Sequence, residues 1–85
     1  MDLRTYIYSL TVEDRIAFAK KCDTSRHHLQ NCAYGYKPIG AKLAVAIERE
    51  SRGALNVDSV LPAKWQRVKD KSWPHPLGRP LLDLA

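Results

Sequence analysis

Apolar residues recur every three to four positions between Leu3 and Ser51, which is the spacing of one face of an α-helix. The first group predicts a helix over Leu3–Ser9 with Asp2 as its N-cap. The second predicts a helix from Val12 to about Lys21, opened by Thr11 and Asp14 as a capping box with aspartate in place of glutamate. The expected inward-facing residues are Leu3, Ile7 and Leu10 in the first helix and Val12, Ile16 and Ala19 in the second.

Two further helices follow a tight turn at Cys22-Asp23-Thr24. Ser25 is a good N-cap for a helix from Arg26 to about Tyr34, and Gly35 then fits a left-handed C-cap. A fourth helix is predicted from Ala41 to about Ser51, ended by Gly53. Its core-facing positions are Leu43, Ala44 and Ile47, widened by Val45 and Ala46.

The C-terminal third gives a less definite pattern. Asn56 can cap a short helical turn over Val57–Leu61, but apolar and polar residues alternate over Ala54–Val60, which also fits an extended segment. We prefer the helix. Beyond it, residues 66–85 are basic and then rich in proline, which predicts a tail outside a helical domain of residues 1–65. The expected fold is therefore an all-α bundle of about five short helices, with C-terminal β-strands as the alternative.

The second and third helices have the layout of a DNA-binding helix-turn-helix. The small Ala19 lies where the two helices must touch, and Asp23 occupies the sharp turn, where glycine would cost less. Leu29 and Cys32 share one face of the third helix, so they are expected to turn toward the body together with His28.

Charge is distributed in two basic blocks. The net charge is +5, and residues 20–42 carry five basic residues against Asp23 alone, while residues 64–79 carry five against Asp70 alone. Such blocks indicate contact with a polyanion, although a solvated basic surface has the same composition. The chain of 85 residues suffices for one small domain of ordinary composition, with no apolar run long enough for a membrane span and no signal-peptide pattern. A cytoplasmic location is expected.

The chain resembles the Cro/YdaS-like family of phage and prophage repressors, which are lambda-repressor-like proteins. The resemblance rests on the run AYGYKPIGAKLAVAIERESRGALNVDSVLPAKW and on the N-terminal MDLRTYIYSL, and it covers about residues 1–65. It departs from the family pattern at Asp23, where glycine is usual, and at Thr24, where a larger apolar residue is usual.

The resemblance implies base-reading positions on the third helix. They are Arg26, His27, Gln30 and Asn31. Their chemistry suits this role, because arginine pairs with guanine O6 and N7 and glutamine or asparagine pairs with adenine N6 and N7. Phosphate contacts are expected from a helix N-terminus and from the surrounding basic and aromatic residues. These residues are Lys20, Lys21, Ser25, Tyr36, Lys37 and Lys42.

Metal binding and catalysis find little support. Cys22, His27, His28 and Cys32 do not have the spacing of a zinc finger, and both cysteines fit apolar core positions, as does Phe18. We expect no cofactor, no metal and no enzymatic activity, since the chain has no phosphate-binding loop, nucleophile elbow or HExxH motif.

The expected function is a sequence-specific regulator that represses by occupying a double-stranded DNA operator. It is expected to bind as a homodimer, with Val60, Leu61 and Trp65 in the interface, and to be a monomer or weak dimer in solution. One alternative is an antitoxin-like regulator that also binds a protein through the apolar end of its tail. Another is a protein-binding adaptor on the same scaffold.

Overall fold

The computed structural model describes residues 2–55, 57–58 and 66–80. Four helices are followed by an antiparallel pair of two-residue strands, in which Arg67 lies opposite Pro80 and Val68 opposite Arg79. The helices are α1 (Leu3–Ser9), α2 (Val12–Lys21), α3 (Arg26–Ala33) and α4 (Ala41–Glu50), and the strands are β1 (Arg67–Val68) and β2 (Arg79–Pro80). The described residues are therefore mostly helical, as predicted, and the C-terminal part contains the β-strands that were the alternative to an all-α fold.

The helix boundaries follow local capping chemistry. Asp2 accepts a hydrogen bond from the backbone N–H of Thr5 at 2.7 Å, which confirms it as the N-cap of α1. Thr11 caps α2 and Ser25 caps α3 in the same way. All four predicted helix starts are confirmed, and each helix ends within one residue of its predicted end. The predicted turn over Val57–Leu61 falls mostly outside the described residues, as do Val60, Leu61 and Trp65.

The core lies where the four helices meet residues 55 and 57. It is built from Ile7, Phe18, Ala19, Cys22, Leu29, Ala44, Ala46, Ile47, Leu55 and Val57, with Leu3, Leu10 and Leu43 packed at its edge. The predicted inward faces of α1 and α4 are thus confirmed, and so is the placement of Phe18 in the core. Burial of these side chains supplies the main stabilising free energy, at about 25 cal/mol per Å² of apolar surface.

The predicted inward stripe of α2 is wrong at two of its three residues. Val12 and Ile16 are 49% and 42% exposed, whereas Phe18, Ala19 and Cys22 are buried. The large Phe18 ring packs against Tyr6 of α1, with ring centroids 5.2 Å apart. This contact rotates α2 so that Ile16 lies roughly 110° from the centre of the buried face, at about 100° per residue.

The hairpin belongs to the folded body, although the sequence predicts a tail there. Gly53, just after α4, has a φ of 79°, and a Cβ at this position would lie 2.8 Å from the carbonyl oxygen of Pro74. Gly78, with a φ of 97°, comes so close to Val68 that a Cβ would overlap the Val68 carbonyl oxygen. The hairpin therefore packs against the end of α4, and its close approaches require glycine. The predicted domain boundary after residue 65 itself adjoins residues outside the described ones.

A buried carboxylate joins the hairpin to α4. Glu48 has no exposed surface, and its two carboxylate oxygens accept hydrogen bonds from the guanidinium of Arg67 at 2.6 and 2.8 Å. The indole N–H of Trp73 donates to the same carboxylate at 2.7 Å. Arg67 also donates to the carbonyl oxygen of Gly78 and to the carboxylate of Asp58. Burying this charge is tolerable only because every partner is in place.

These partners determine the protonation state of Glu48. Burial by itself raises the pKa of the carboxyl, but the hydrogen bonds from Arg67 and Trp73 and the charge of Arg67 outweigh it, so the pKa is lowered overall. The carboxylate is therefore ionised at neutral pH.

Arg67→Ala is expected to lower the free energy of unfolding by about 3–5 kcal/mol, because it leaves the Glu48 carboxylate buried without its cation. Urea titration of the purified protein measures this loss. Arg49→Ala is the matched control, since Arg49 forms an ion pair with Glu50 while 48% exposed, and it should cost less than about 1 kcal/mol. Equal effects of the two substitutions would contradict the account of the Glu48 cluster.

Glu48→Gln is expected to remove part of the acid sensitivity of the fold. Because the folded-state pKa of Glu48 lies below its ordinary value, its contribution to stability is complete above the ordinary range of about 4.3 and is lost as the pH falls through the folded-state pKa. The stability difference between wild type and Glu48→Gln should therefore narrow below about pH 4. Urea titrations at a series of pH values measure it, with Glu50→Gln as control; a difference that stays constant on acidification would refute the prediction.

Candidate nucleic-acid interface

The α2–α3 pair is held together at a tight turn. Asp23 adopts a φ of 57°, in the left-handed region, which confirms the sharp turn predicted there. The backbone N–H of Thr24 donates to the carbonyl oxygen of Ala19 at 3.0 Å, so the turn closes directly onto the end of α2. Ala19 and Leu29 are each 1% exposed and belong to the same core cluster. Buried packing from α2 and α3 thus fixes which face of α3 remains in solvent.

The exposed face of α3 carries the predicted base-reading residues. Arg26, His27 and Gln30 are exposed and Asn31 is half-buried, while Leu29 and Cys32 are buried on the opposite side. Gln30 differs from its neighbours, because its side-chain amide donates to the hydroxyl of Tyr8 at 3.2 Å. The four residues share one helix surface, but one of them is already held by α1.

The sequence predicts that His28 turns toward the body, but the structure leaves it exposed. Its Nε2 lies 3.6 Å from the Sγ of Cys32 one turn later. His28 also lines a cleft between α3 and the start of α4, together with Thr24 and Lys42. The correction follows from the position of the α3 axis, which buries Leu29 and Cys32 but leaves the side chain before them at the rim.

The predicted phosphate-contacting residues lie before α3, at its N-cap and after it in the sequence, and all are exposed. Lys20 and Lys21 form the last turn of α2, Ser25 caps α3, Tyr36 and Lys37 lie in the following loop, and Lys42 lies in the first turn of α4. Ser25 accepts a hydrogen bond from the N–H of His28 at 3.0 Å, and its hydroxyl hydrogen stays available to donate.

The starts of α3 and α4 lie on the same cleft. His28 lines it from the first turn of α3, and Gly40, Ala41 and Lys42 line it from the beginning of α4. Gly40 caps α4 without a side-chain hydrogen bond. The first N–H groups of a helix have no partner within the helix, and they attract anions. The cleft therefore presents the N-terminus of α4, Lys42 and His28 to solvent, and Asp23 also lies on its wall.

A tyrosine cluster beside α3 was not anticipated from the sequence. The hydroxyl groups of Tyr8 and Tyr34 are 2.9 Å apart, and the Tyr34 ring stacks on Tyr36 with centroids 6.0 Å apart. The guanidinium groups of Arg15 and Arg4 lie over Tyr8 and Tyr34, 4.9 and 4.6 Å from the ring centroids. The sequence signal for this cluster is the four-residue spacing of Arg4 and Tyr8, which places both side chains on one face of α1.

The cysteines are free and buried. Burial raises the pKa of the Cys22 thiol to about 11 and also raises that of Cys32, so both thiols stay protonated. Glu48, Asp58 and His75 have ligand atoms within 4.8 Å of one another, but Arg67 bonds to both carboxylates and supplies the positive charge there. Neither the two buried thiols nor the cluster of Glu48, Asp58 and His75 therefore has the chemistry of an available cation site.

Comparison with protein-family models, curated proteins and solved structures found no match to this chain. Within the described residues, every helix is too short or too polar to cross a lipid bilayer.

Ala19→Leu is expected to lower the free energy of unfolding by about 1–3 kcal/mol, because the larger side chain has no room where α2 meets α3. Ala17→Leu is the matched control, since Ala17 lies two residues earlier on the exposed side of the same helix and should have little effect. Thermal unfolding followed by circular dichroism distinguishes the two variants. A larger loss for Ala17→Leu would contradict the assigned helix contact.

Proposed function

We propose that this protein is a sequence-specific double-stranded DNA-binding transcriptional regulator, a repressor of the Cro/YdaS-like type from a phage or prophage. It acts by occupying an operator in the bacterial cytoplasm and performs no chemical step. The observation that carries the proposal is the polar face of α3, on which Arg26, His27 and Gln30 are exposed and Asn31 is half-buried, opposite a buried side formed by Leu29 and Cys32.

The dimensions and chemistry of α3 support insertion into the major groove. The groove is about 12 Å wide and admits one α-helix, and base edges are read there by bidentate side chains. Arg26 lies in the first turn of α3, where helix-turn-helix proteins place residues against bases. The helix is short, so its reading face covers only a few base pairs.

The charge around α3 supports backbone contact on both sides of the groove. Lys20 and Lys21 precede the turn, and Lys37 and Lys42 follow the helix, all exposed. The cleft beside α4 adds the N-terminus of that helix and Lys42, which are suited to a phosphate, and Asp23 lies on the same cleft. Asp23 is the single acidic residue in this stretch, and it lies in the turn rather than on the reading face.

Binding as a homodimer follows from the small size of the reading face. One helix-turn-helix unit contacts few base pairs, so specificity is normally reached with two copies on half-sites about 34 Å apart. We propose a dimer on the operator and a monomer or weak dimer in its absence.

A second candidate is a regulator that also binds a protein, as antitoxin-like regulators do. Val68 and Leu77 of the hairpin segment are 38% and 66% exposed, which leaves apolar surface away from α3 for a partner. A purely protein-binding adaptor differs from both in its salt dependence, because DNA binding weakens by about 0.9 log units per phosphate contact for each decade of salt.

Arg26→Ala and Lys37→Ala are expected to affect DNA binding in different ways. Arg26→Ala should cost about 1–3 kcal/mol and relax base preference at one position, whereas Lys37→Ala should weaken all sequences alike and reduce the salt slope by about one. Selection of bound duplexes from a random pool gives the preference, and fluorescence anisotropy across a salt series gives affinity and slope.

Arg52→Ala is the control for charge. It removes one positive charge, as Lys37→Ala does, but Arg52 is an exposed residue after α4 that lies outside both basic blocks. An equal loss for Lys37→Ala and Arg52→Ala would indicate binding through net charge alone. Unchanged affinity and base preference in Arg26→Ala would show that α3 is not the reading helix.

A further inference from the structure

Gln30 is the one predicted base-reading residue whose side-chain amide is held by another helix in the described structure. Its Nε2 donates to the hydroxyl of Tyr8 at 3.2 Å, and this hydroxyl lies 2.9 Å from that of Tyr34. Tyr8 belongs to α1, and Tyr34 is the C-cap of α3. Hydrogen bonds therefore connect Gln30 on the reading face to Tyr8 of α1, and Tyr8 to Tyr34 at the end of α3.

The Tyr8 ring is restrained on both sides. The guanidinium of Arg15 lies over it, 4.9 Å from its centroid, and the Tyr34 ring meets it edge-on with centroids 6.1 Å apart. Tyr34 is restrained in turn by Arg4 and by its stack with Tyr36. The Tyr8 hydroxyl thus offers Gln30 a fixed partner, although both residues are exposed to solvent.

The two tyrosine hydroxyls can hydrogen-bond in either direction. The NH₂ side of the Gln30 amide faces Tyr8, which is the orientation required when Tyr8 donates its single hydrogen to Tyr34, because its oxygen can then only accept from Gln30. The second N–H and the carbonyl oxygen of Gln30 remain unused by this bond. They are the donor and the acceptor that pair with adenine N7 and N6 in the major groove.

We propose that Tyr8 is a positioning residue that orients the Gln30 amide for an adenine of an A·T pair in each operator half-site. The proposal rests on the proposed DNA-binding function and assigns to α1 a part in base selection. An unheld amide presents donor and acceptor in either order, and it loses conformational freedom on binding. The bond to Tyr8 removes both disadvantages before DNA arrives.

The test compares base preference, position by position, for wild type, Tyr8→Phe, Gln30→Ala and the double variant. Duplexes selected from a random pool by each protein are sequenced at one stated salt concentration. Gln30→Ala should reduce the preference for adenine at one position by about 5- to 100-fold. Tyr8→Phe should reduce it at the same position by about 3- to 10-fold, the range of one net hydrogen bond. The double variant should lose no more than Gln30→Ala, because both act through one contact.

Two further variants separate orientation from general effects. Tyr6→Phe removes a hydroxyl from the same helix, but the Tyr6 ring packs against Phe18, and this variant should keep the wild-type preference. Tyr34→Phe frees the Tyr8 hydrogen to donate to the Gln30 carbonyl oxygen, which allows the reversed amide, so it should relax the same position. Thermal unfolding of each variant verifies that the fold is retained.

The outcomes distinguish this proposal from the proposed function. If Gln30→Ala relaxes one position while Tyr8→Phe and Tyr34→Phe relax none, Tyr8 does not orient the amide and the DNA-binding function stands. If Tyr8→Phe weakens all duplexes equally, Tyr8 contacts the backbone and the proposal is also overturned. If wild type selects no sequence, the proposed function itself fails.

Discussion

The ion pair between Glu48 and Arg67 is the constraint on which the second half of the structure depends. A carboxylate without access to water must find donors within the protein, and Glu48 takes them from residues 19 and 25 positions later in the chain. Those donors lie on the hairpin segment, so the hairpin cannot leave α4 without exposing or orphaning the charge. The approach of Pro74 to Gly53 is a consequence of this attachment. The core of four short helices thus gains a polar clamp in addition to its apolar contacts.

Local chemistry explains why the helices were predictable and the hairpin was not. The start of a helix depends on a capping residue next to it, and Asp2, Thr11 and Ser25 are recognisable as N-caps in the sequence. The inward face of α2 depends on tertiary packing, because the sequence makes both Ile16 and Phe18 core candidates, and the contact of Phe18 with Tyr6 leaves Ile16 exposed. The Glu48–Arg67 pair joins residues 19 positions apart, so local sequence does not predict it. In the sequence, Glu48 is one of several charged residues at the end of a helix, and nothing nearby marks it as buried.

The candidate site likewise contains features that the sequence predicts and features that depend on tertiary packing. The family resemblance named Arg26, His27 and Gln30 as reading positions, and helix spacing agrees with their exposure, because Leu29 and Cys32 define the buried side of α3. Helix spacing did not reveal the cluster of Tyr8 and Tyr34, which forms only when α1 packs beside α3. The sequence also misplaced His28, which is exposed at the rim of the buried side of α3. Residue types and periodicity therefore identified which side chains face solvent, whereas the contacts among them required the fold.

The hydrogen bond between Gln30 and Tyr8 affects how α3 would read DNA. A side chain that is ordered in advance pays less conformational entropy on binding, and it discriminates more sharply because the wrong base leaves it unpaired. Gln30 is ordered in this sense by Tyr8, whereas His27 is exposed on the outer side of the same helix. The face proposed to contact bases thus combines a fixed amide with side chains able to adapt. Such a combination favours strict selection at the pair facing Gln30 and tolerance at its neighbours, and its origin lies in α1, outside the helix-turn-helix itself.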